Sequence, residues 1–188
     1  MRVIAGKARR LCLKTPPGFD TRPTTDRIKE TLFNIIQPDI PGSYFLDLFS
    51  GSGGIGIEAL SRDAKFCVFV DNSIKAAACI RENLEHTRLS GDALVISKNV
   101  LSAISELKLK GLVFDFVYMD PPYNSNLEEE TLAALSESGI INNDTTVIVE
   151  ADKYNNLDFL KESAFEITKE KIYKTNKHYF LKLKGVQI

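Results

Sequence analysis

Two short stretches of the 188-residue sequence hold side chains whose types and spacing could do chemistry. The first is Asp47-Leu48-Phe49-Ser50-Gly51-Ser52-Gly53-Gly54-Ile55-Gly56, where Gly51, Gly53 and Gly56 have G-x-G-x-x-G spacing after an apolar run. Asp71 closes the next apolar run, 20 residues after Gly51. Glycines let the backbone approach a ligand, and a carboxylate at the end of the second strand can accept from both ribose hydroxyls, so this pattern alone is a dinucleotide fingerprint. Asp47 separates two ligand classes. A dinucleotide fold normally runs apolar from the strand into the glycines, whereas S-adenosylmethionine lacks a pyrophosphate and brings an ammonium and a sulfonium that a carboxylate can face. Asp47 therefore favours S-adenosylmethionine over NAD. Asn99, just past the third apolar run, falls where an adenine-edge contact would lie. The alternatives without a ligand are a tight strand-to-helix turn for the glycines, a helix N-cap for Asp71 and a turn asparagine for Asn99.

The second stretch is Met119-Asp120-Pro121-Pro122-Tyr123, after the apolar run that ends the fourth candidate strand. The lone pair of an exocyclic amino nitrogen on a conjugated base is delocalised into the ring, so methylating it demands positioning. Asp120 and the Pro121 carbonyl, the latter fixed by the locked φ of proline, could accept the two amino hydrogens, and Tyr123 could stack on the base. The base would have to leave its stack or lie already in a loop. The alternative is a proline turn with a packed tyrosine. Neither stretch needs a metal, and no ligand-spaced His/Cys set suggests one.

These residues must be positioned by a framework, and the chain supplies one. Candidate strands are Tyr44 to Leu48, Phe66 to Asp71, Ala93 to Lys98, Phe114 to Met119 and Thr145 to Glu150. Candidate helices between and after them are Gly54 to Ser61, Ile74 to Thr87, Leu101 to Lys108, Leu127 to Ser138 and Leu157 to Ser163. Strands alternating with helices imply right-handed crossovers and a mostly parallel sheet covered on both faces, an α/β fold. The runs Phe165 to Tyr173 and His178 to Leu183, joined by Lys174-Thr175-Asn176-Lys177, form a terminal hairpin, so one strand must run against the rest. A helix from a Thr25 N-cap, ended by Pro38, precedes the first strand. Before it, Val3-Ile4-Ala5 and Leu11, Leu13 flank Gly6-Lys7-Ala8-Arg9-Arg10, a small β-hairpin with a basic tip, followed by turn residues 15–23. His86 and His178 have no evident acid-base partner in the sequence.

The formal charge of -1 conceals a segregation. Residues 1–29 carry a net +6, residues 161–188 a net +4, and the acidic remainder a net -11. A basic segment on an acidic globule suits a polyanionic partner, since Lys and Arg on phosphates supply most sequence-independent nucleic-acid affinity. Apolar runs such as Phe66 to Val70 fall far short of the roughly 20 residues a spanning helix needs, so no membrane association is expected. The start, Met1-Arg2-Val3-Ile4-Ala5-Gly6, lacks a long apolar core, which suggests a cytoplasmic protein with its three cysteines reduced.

Asp-Leu-Phe-Ser-Gly-Ser-Gly (47–53) together with Asp-Pro-Pro-Tyr (120–123) resembles the Rossmann-like S-adenosylmethionine-dependent amino-methyltransferases. More narrowly, Arg2-Val3-Ile4-Ala5-Gly6, Arg22-Pro23-Thr24-Thr25-Asp26-Arg27 and Glu30-Thr31-Leu32-Phe33-Asn34 resemble the RsmD family over essentially the whole chain. The resemblance implies methylation of N2 of the guanine at nucleotide 966 of 16S rRNA in an assembling small ribosomal subunit. It also implies a seven-stranded, mostly parallel sheet with an antiparallel last strand. By motif match Asp47, Ser50, Gly51, Gly53 and Asp71 would line the cofactor site, and Asp120, Pro121 and Tyr123 the target-base site. Arg22, Thr24, Asp26 and Arg27 would close over cofactor or RNA, with Arg9 and Arg10 on phosphates. Many relatives carry an acid after the third strand where this chain has Asn99-Val100. The expected division is a basic hairpin and linker over residues 1–24 and a methyltransferase domain over 25–188, acting as a monomer. Competing functions are a DNA adenine-N6 methyltransferase, a protein glutamine-N5 methyltransferase, and a non-catalytic NAD- or RNA-binding module.

Overall fold

Continuous apolar runs bounded by turn residues form strands that are buried on both faces, and the helices between them cover those faces. A computed structural model describes residues 1–16, 26–122 and 126–185. It divides into two compact units, Met1–Asn99 and Val100–Ile188.

In the first unit, α1 (Asp26–Ile36) leads through a 3-10 turn at Gln37–Asp39 into β1 (Tyr44–Leu48), α2 (Gly54–Ser61), β2 (Phe66–Asp71), α3 (Ile74–Thr87) and β3 (Ala93–Ser97). Strand β1 pairs in parallel with β2, Asp47 opposite Phe69, and β2 pairs in parallel with β3, Asp71 opposite Ser97. The Ser73 side chain caps α3 by accepting from Ala76 N at 3.3 Å. The Thr25 cap expected for α1 lies outside the described residues.

The N-terminal hairpin is closed by one antiparallel bridge, Arg2 to Cys12, with Val3 N donating to Leu11 O and Arg10 N to Val3 O, each at 2.9 Å. It buries Val3, Ala8 and Leu13 and is seated on α2. Every residue of α2 is buried, Glu58 included. The Glu58 carboxylate accepts from Ile4 N (2.8 Å), Ala5 N (3.0 Å) and Arg62 Nε (2.8 Å), and pairs with Lys29 Nζ of α1 at 3.1 Å. Lys29 has no solvent exposure and also donates to Arg2 O at 2.9 Å. Burial pulls the Lys29 ammonium below its ordinary range, and the charge and hydrogen bond of Glu58 oppose that pull. Ser61 adds a second clasp, its Oγ accepting from Ala8 N at 2.9 Å and donating to Ala5 O at 2.6 Å.

The second unit contains α4 (Val100–Leu109), β4 (Phe116–Met119), α5 (Leu127–Ser138), β5 (Thr146–Asp152), β6 (Phe165–Ile172) and β7 (Asn176–Leu183). Strands β4 and β5 are parallel, with Met119 opposite Val149, while β7 runs antiparallel to both β5 and β6. The strand order of the seven-stranded sheet is β3-β2-β1-β4-β5-β7-β6, a mostly parallel α/β sheet with one reversed strand, as expected. The helix expected over Leu157 to Ser163 is instead a short 3-10 turn at Asp158–Lys161. Asn155 Oδ1 accepts from Leu157 N at 3.0 Å, and Leu157 enters the turn at φ 46°, a left-handed conformation that a leucine rarely adopts. Among the described residues no helix is long and apolar enough to cross a membrane.

Breaking a buried ion pair by neutralising one partner strands the other, typically at a cost of about 3–5 kcal/mol. Glu58→Gln is therefore expected to lower the unfolding free energy obtained from urea denaturation by about 3–5 kcal/mol. Lys29→Met combined with Glu58→Gln should cost less than the sum of the two single changes, which a double-mutant cycle in urea checks.

Candidate active site

The site elements of the first unit converge at the carboxyl edge of β1, β2 and β3. Strand β1 ends at Leu48, Phe49 takes a left-handed φ of 60°, and the chain turns through Gly51 (φ 55°) and Gly53 (φ 76°) into α2. These two glycines hold conformations that other residues rarely adopt. A Cβ on Gly51 would meet nothing within 4 Å, so space opens beside the turn, whereas one on Gly56 would lie 2.4 Å from the Phe69 ring and 2.6 Å from Cys67 Sγ. Gly56 thus lets α2 pack close against β2, and Gly51 leaves room for a ligand.

Asp47 is 2% exposed and its Oδ2 accepts from Gly56 N at 2.9 Å. Burial pushes its carboxyl up to about 7, the Asp71 charge adds to the rise, and the Gly56 hydrogen bond opposes it. This carboxylate pairs with no cation among the described residues. Asp71 accepts from Gly51 N on Oδ2 and from Ser73 N on Oδ1, both at 2.8 Å, and is partly exposed. One carboxylate thereby ties the glycine turn to the start of α3. The Ser50 hydroxyl lies 2.5 Å from Asp47 O and accepts from Val70 N at 2.9 Å, stitching the ends of β1 and β2. Asn99 is exposed in the two residues that link β3 to α4. The whole set expected for the cofactor, Asp47, Ser50, Gly51, Gly53, Asp71 and Asn99, thus lies in the first unit at strand ends, where open α/β sheets bind ligands.

In the second unit Asp120 and Pro121 directly follow β4, with Asp120 partly exposed and Pro121 buried. Tyr123 lies outside the described residues. Sequence reasoning missed the cluster behind this strand end. His178, expected to have no partner, places Nε2 3.1 Å from Glu150 Oε2 and Nδ1 3.2 Å from the Tyr173 hydroxyl. The Tyr118 hydroxyl and Asn176 Nδ2 also donate to the Glu150 carboxylate. Burial raises the Glu150 carboxyl, but the His178 hydrogen bond and charge, with the Tyr118 and Asn176 bonds, outweigh it and hold the group below its ordinary range. Burial also pushes the Tyr173 phenol up to about 12, with the Glu150 charge adding to the rise. No local spacing signals the pair, since Glu150 stands in β5 and His178 in β7, and only the antiparallel register of these two strands sets them opposite each other.

Arg9 and Arg10 are exposed at the hairpin tip, Arg10 with φ 72°, and Arg27 is exposed in the first turn of α1. Asp26, beside it, pairs with Arg2 at 2.7 Å. Arg22 and Thr24 lie outside the described residues.

The chain is similar to known proteins over most of its length. The family described as conserved hypothetical protein 95 matches residues 1–182. The ribosomal RNA small subunit methyltransferase D of Escherichia coli is 36% identical over 157 residues, 84% of this chain and 77% of that protein. Its namesake from Haemophilus influenzae is 35% identical over 182 residues, 92% of this chain and 93% of that one. The solved structure of the yhhF protein of Escherichia coli superposes with a TM-score of 0.82 at 31% identity, covering 98% of each chain. On these matches, with the Rossmann-like sheet and the glycine turn in place, the chain belongs to the conserved hypothetical protein 95 family, the RsmD family of rRNA methyltransferases.

Proposed function

We propose that the protein transfers a methyl group from S-adenosylmethionine to the exocyclic N2 of a guanine in 16S rRNA, at nucleotide 966, within an assembling small ribosomal subunit. The observation that carries this reading is the buried carboxylate of Asp47, paired with no cation among the described residues, beneath a glycine turn with open space beside Gly51. A dinucleotide would bring phosphates toward that carboxylate, and repulsion would oppose binding; a cationic sulfonium cofactor reverses the sign. S-adenosylmethionine, when bound, supplies the activated methyl. Asp47 would face its cationic methionine end, Gly51 and Gly53 would let it approach the backbone, Asp71 has acceptor capacity left for ribose hydroxyls, and Asn99 would meet the adenine edge.

Asp120 and the Pro121 carbonyl would accept the two hydrogens of the guanine amino group and aim its nitrogen, with Tyr123 stacked on the base. Asp120 stands at a strand end, a rigid position, and the following prolines restrict the backbone that carries the second acceptor. The similarity to proteins named as small-subunit rRNA methyltransferases supports rRNA as the substrate. The exposed arginines of the basic head, Arg9, Arg10 and Arg27, with Arg22, are assigned to its phosphates. In this reading residues 1–24 are the RNA-facing segment and 25–188 the methyltransferase domain of a cytoplasmic monomer.

A cation favours the ionised form of Asp47, so cofactor binding should release a proton below about pH 7 and tighten as pH rises through that value, then level off. Calorimetry in two buffers of different ionisation enthalpy measures the proton, Asp47→Asn should abolish the dependence, and binding of NAD in place of S-adenosylmethionine would overturn the assignment. Asp120→Ala should keep cofactor affinity while turnover drops at least about 100-fold; unaltered turnover would reduce the motif to a turn. Label from radioactive S-adenosylmethionine should enter the small subunits of a strain lacking the enzyme, at one guanine N2, and label found only in DNA, large subunits or protein would reject the substrate.

A further inference from the structure

The loop after β5 holds one aromatic ring out into solvent on a braced backbone. Tyr154 is 82% exposed, the one exposed tyrosine or phenylalanine ring among the described residues. Its own N–H donates to Asp152 Oδ1 at 2.9 Å, and Asn155 N donates to Asp152 O at 3.0 Å. Lys153 N donates to Thr175 O at 3.3 Å, across to the turn between β6 and β7. Beyond the ring, the Tyr179 hydroxyl donates to Asn155 O at 3.1 Å and Lys177 Nζ to Asn156 Oδ1 at 3.2 Å. The phenol ring therefore adds nothing to the core, yet the loop bearing it is fixed on both sides.

One cation lies over the ring, and a second stands in the turn to which the loop is hydrogen-bonded. Lys153 Nζ lies 5.8 Å from the Tyr154 centroid, and Lys174 directly precedes the residue whose carbonyl receives the Lys153 N–H. Among the described residues neither lysine pairs with a carboxylate, in contrast to Lys161 with Asp158 and Lys177 with Glu170 in the same unit. The loop also shares an edge with the proposed target-base residues. Strands β4 and β5 are parallel with Met119 opposite Val149, so Asp120-Pro121 and the 152–156 loop leave the sheet at the same end.

An exposed ring beside an ammonium that no carboxylate among the described residues neutralises, with a second such lysine in the bonded turn, matches a stacked base with phosphates nearby, a mode that tolerates any base and needs an unpaired strand. We propose that Tyr154 is a stacking platform for an unpaired base of the RNA substrate near the target nucleotide, with Lys153 and Lys174 on the adjoining phosphates. The proposal rests on the rRNA methyltransferase reading and extends its RNA contacts beyond the basic head.

The full chain is titrated into a fluorescein-labelled single-stranded uridylate dodecamer, read by anisotropy over a salt series, and methyl transfer to small subunits is measured beside it. Tyr154→Ala should weaken dodecamer binding on the order of tenfold, while Tyr154→Phe, which keeps the ring, should bind like the parent. Changing Lys153 and Lys174 together to Ala should flatten the log-affinity against log-salt slope by roughly 1.4, about 0.7 for each phosphate no longer neutralised, and Tyr154→Ala should leave that slope alone. An unfolding midpoint for Tyr154→Ala equal to the parent's keeps the comparison clean. Parent-like binding by Tyr154→Ala, or equal loss in Tyr154→Phe, would overturn the platform. Parent protein that binds the dodecamer through Tyr154 but methylates no rRNA would sink the function reading and leave the platform standing.

Discussion

The Glu58 carboxylate is the joint on which the first unit is assembled. It is fully buried and collects four donors, two from the backbone of the N-terminal hairpin, one from Lys29 of α1 and one from Arg62 just past its own helix. A buried charge survives only when its lone pairs are filled, so these partners cannot be varied independently. Arg62 reaches on to Gln37 Oε1 at 2.6 Å and lies over the Phe33 ring at 5.0 Å, which carries the same joint into the apolar packing of α1. Since α2 starts at the glycine turn, whatever holds α2 also holds that turn, the proposed cofactor-binding backbone. The hairpin, though basic and short, is therefore part of the scaffold through its backbone, and its Arg9 and Arg10 side chains stand exposed.

Asp47 is the electrostatic opposite within the same unit. It is nearly as buried as Glu58 but accepts one backbone N–H at 2.9 Å and pairs with no cation among the described residues, so burial dominates and its carboxyl rises to about 7. A protein that satisfies one buried acid so completely and leaves another open has concentrated its unmet electrostatics where a cationic ligand would supply the balance. Asp71 is intermediate: two N–H groups are already bound to it, and its exposure leaves acceptor capacity toward solvent.

Much of this was legible along the chain. Strands β1, β2 and β3 and helices α2, α3 and α5 fall at or within a residue of their sequence-derived bounds, because each combines a uniform apolar pattern with a clear turn at both ends. The glycine spacing and the two aspartates mark the proposed cofactor edge for the same local reason. The 157–163 segment was not legible, since an asparagine side chain and a left-handed Leu157 tighten it into a 3-10 turn despite its helical composition. Nor was the buried Glu150–His178 cluster. Its members are far apart in sequence and meet only because β7 inserts between β5 and β6, which places His178 opposite Glu150.

The sequence by itself determined the class of fold and the strand ends at which the proposed site residues sit, since periodicity and turn chemistry are properties of neighbours along the chain. Tertiary structure decided which acids are compensated and which are left open, that the basic hairpin is anchored on α2, and that Tyr154 stands exposed on a braced loop. Those outcomes depend on donors and surfaces brought from distant segments, and one-dimensional spacing does not encode how far a charge ends up from its counter-charge or from water.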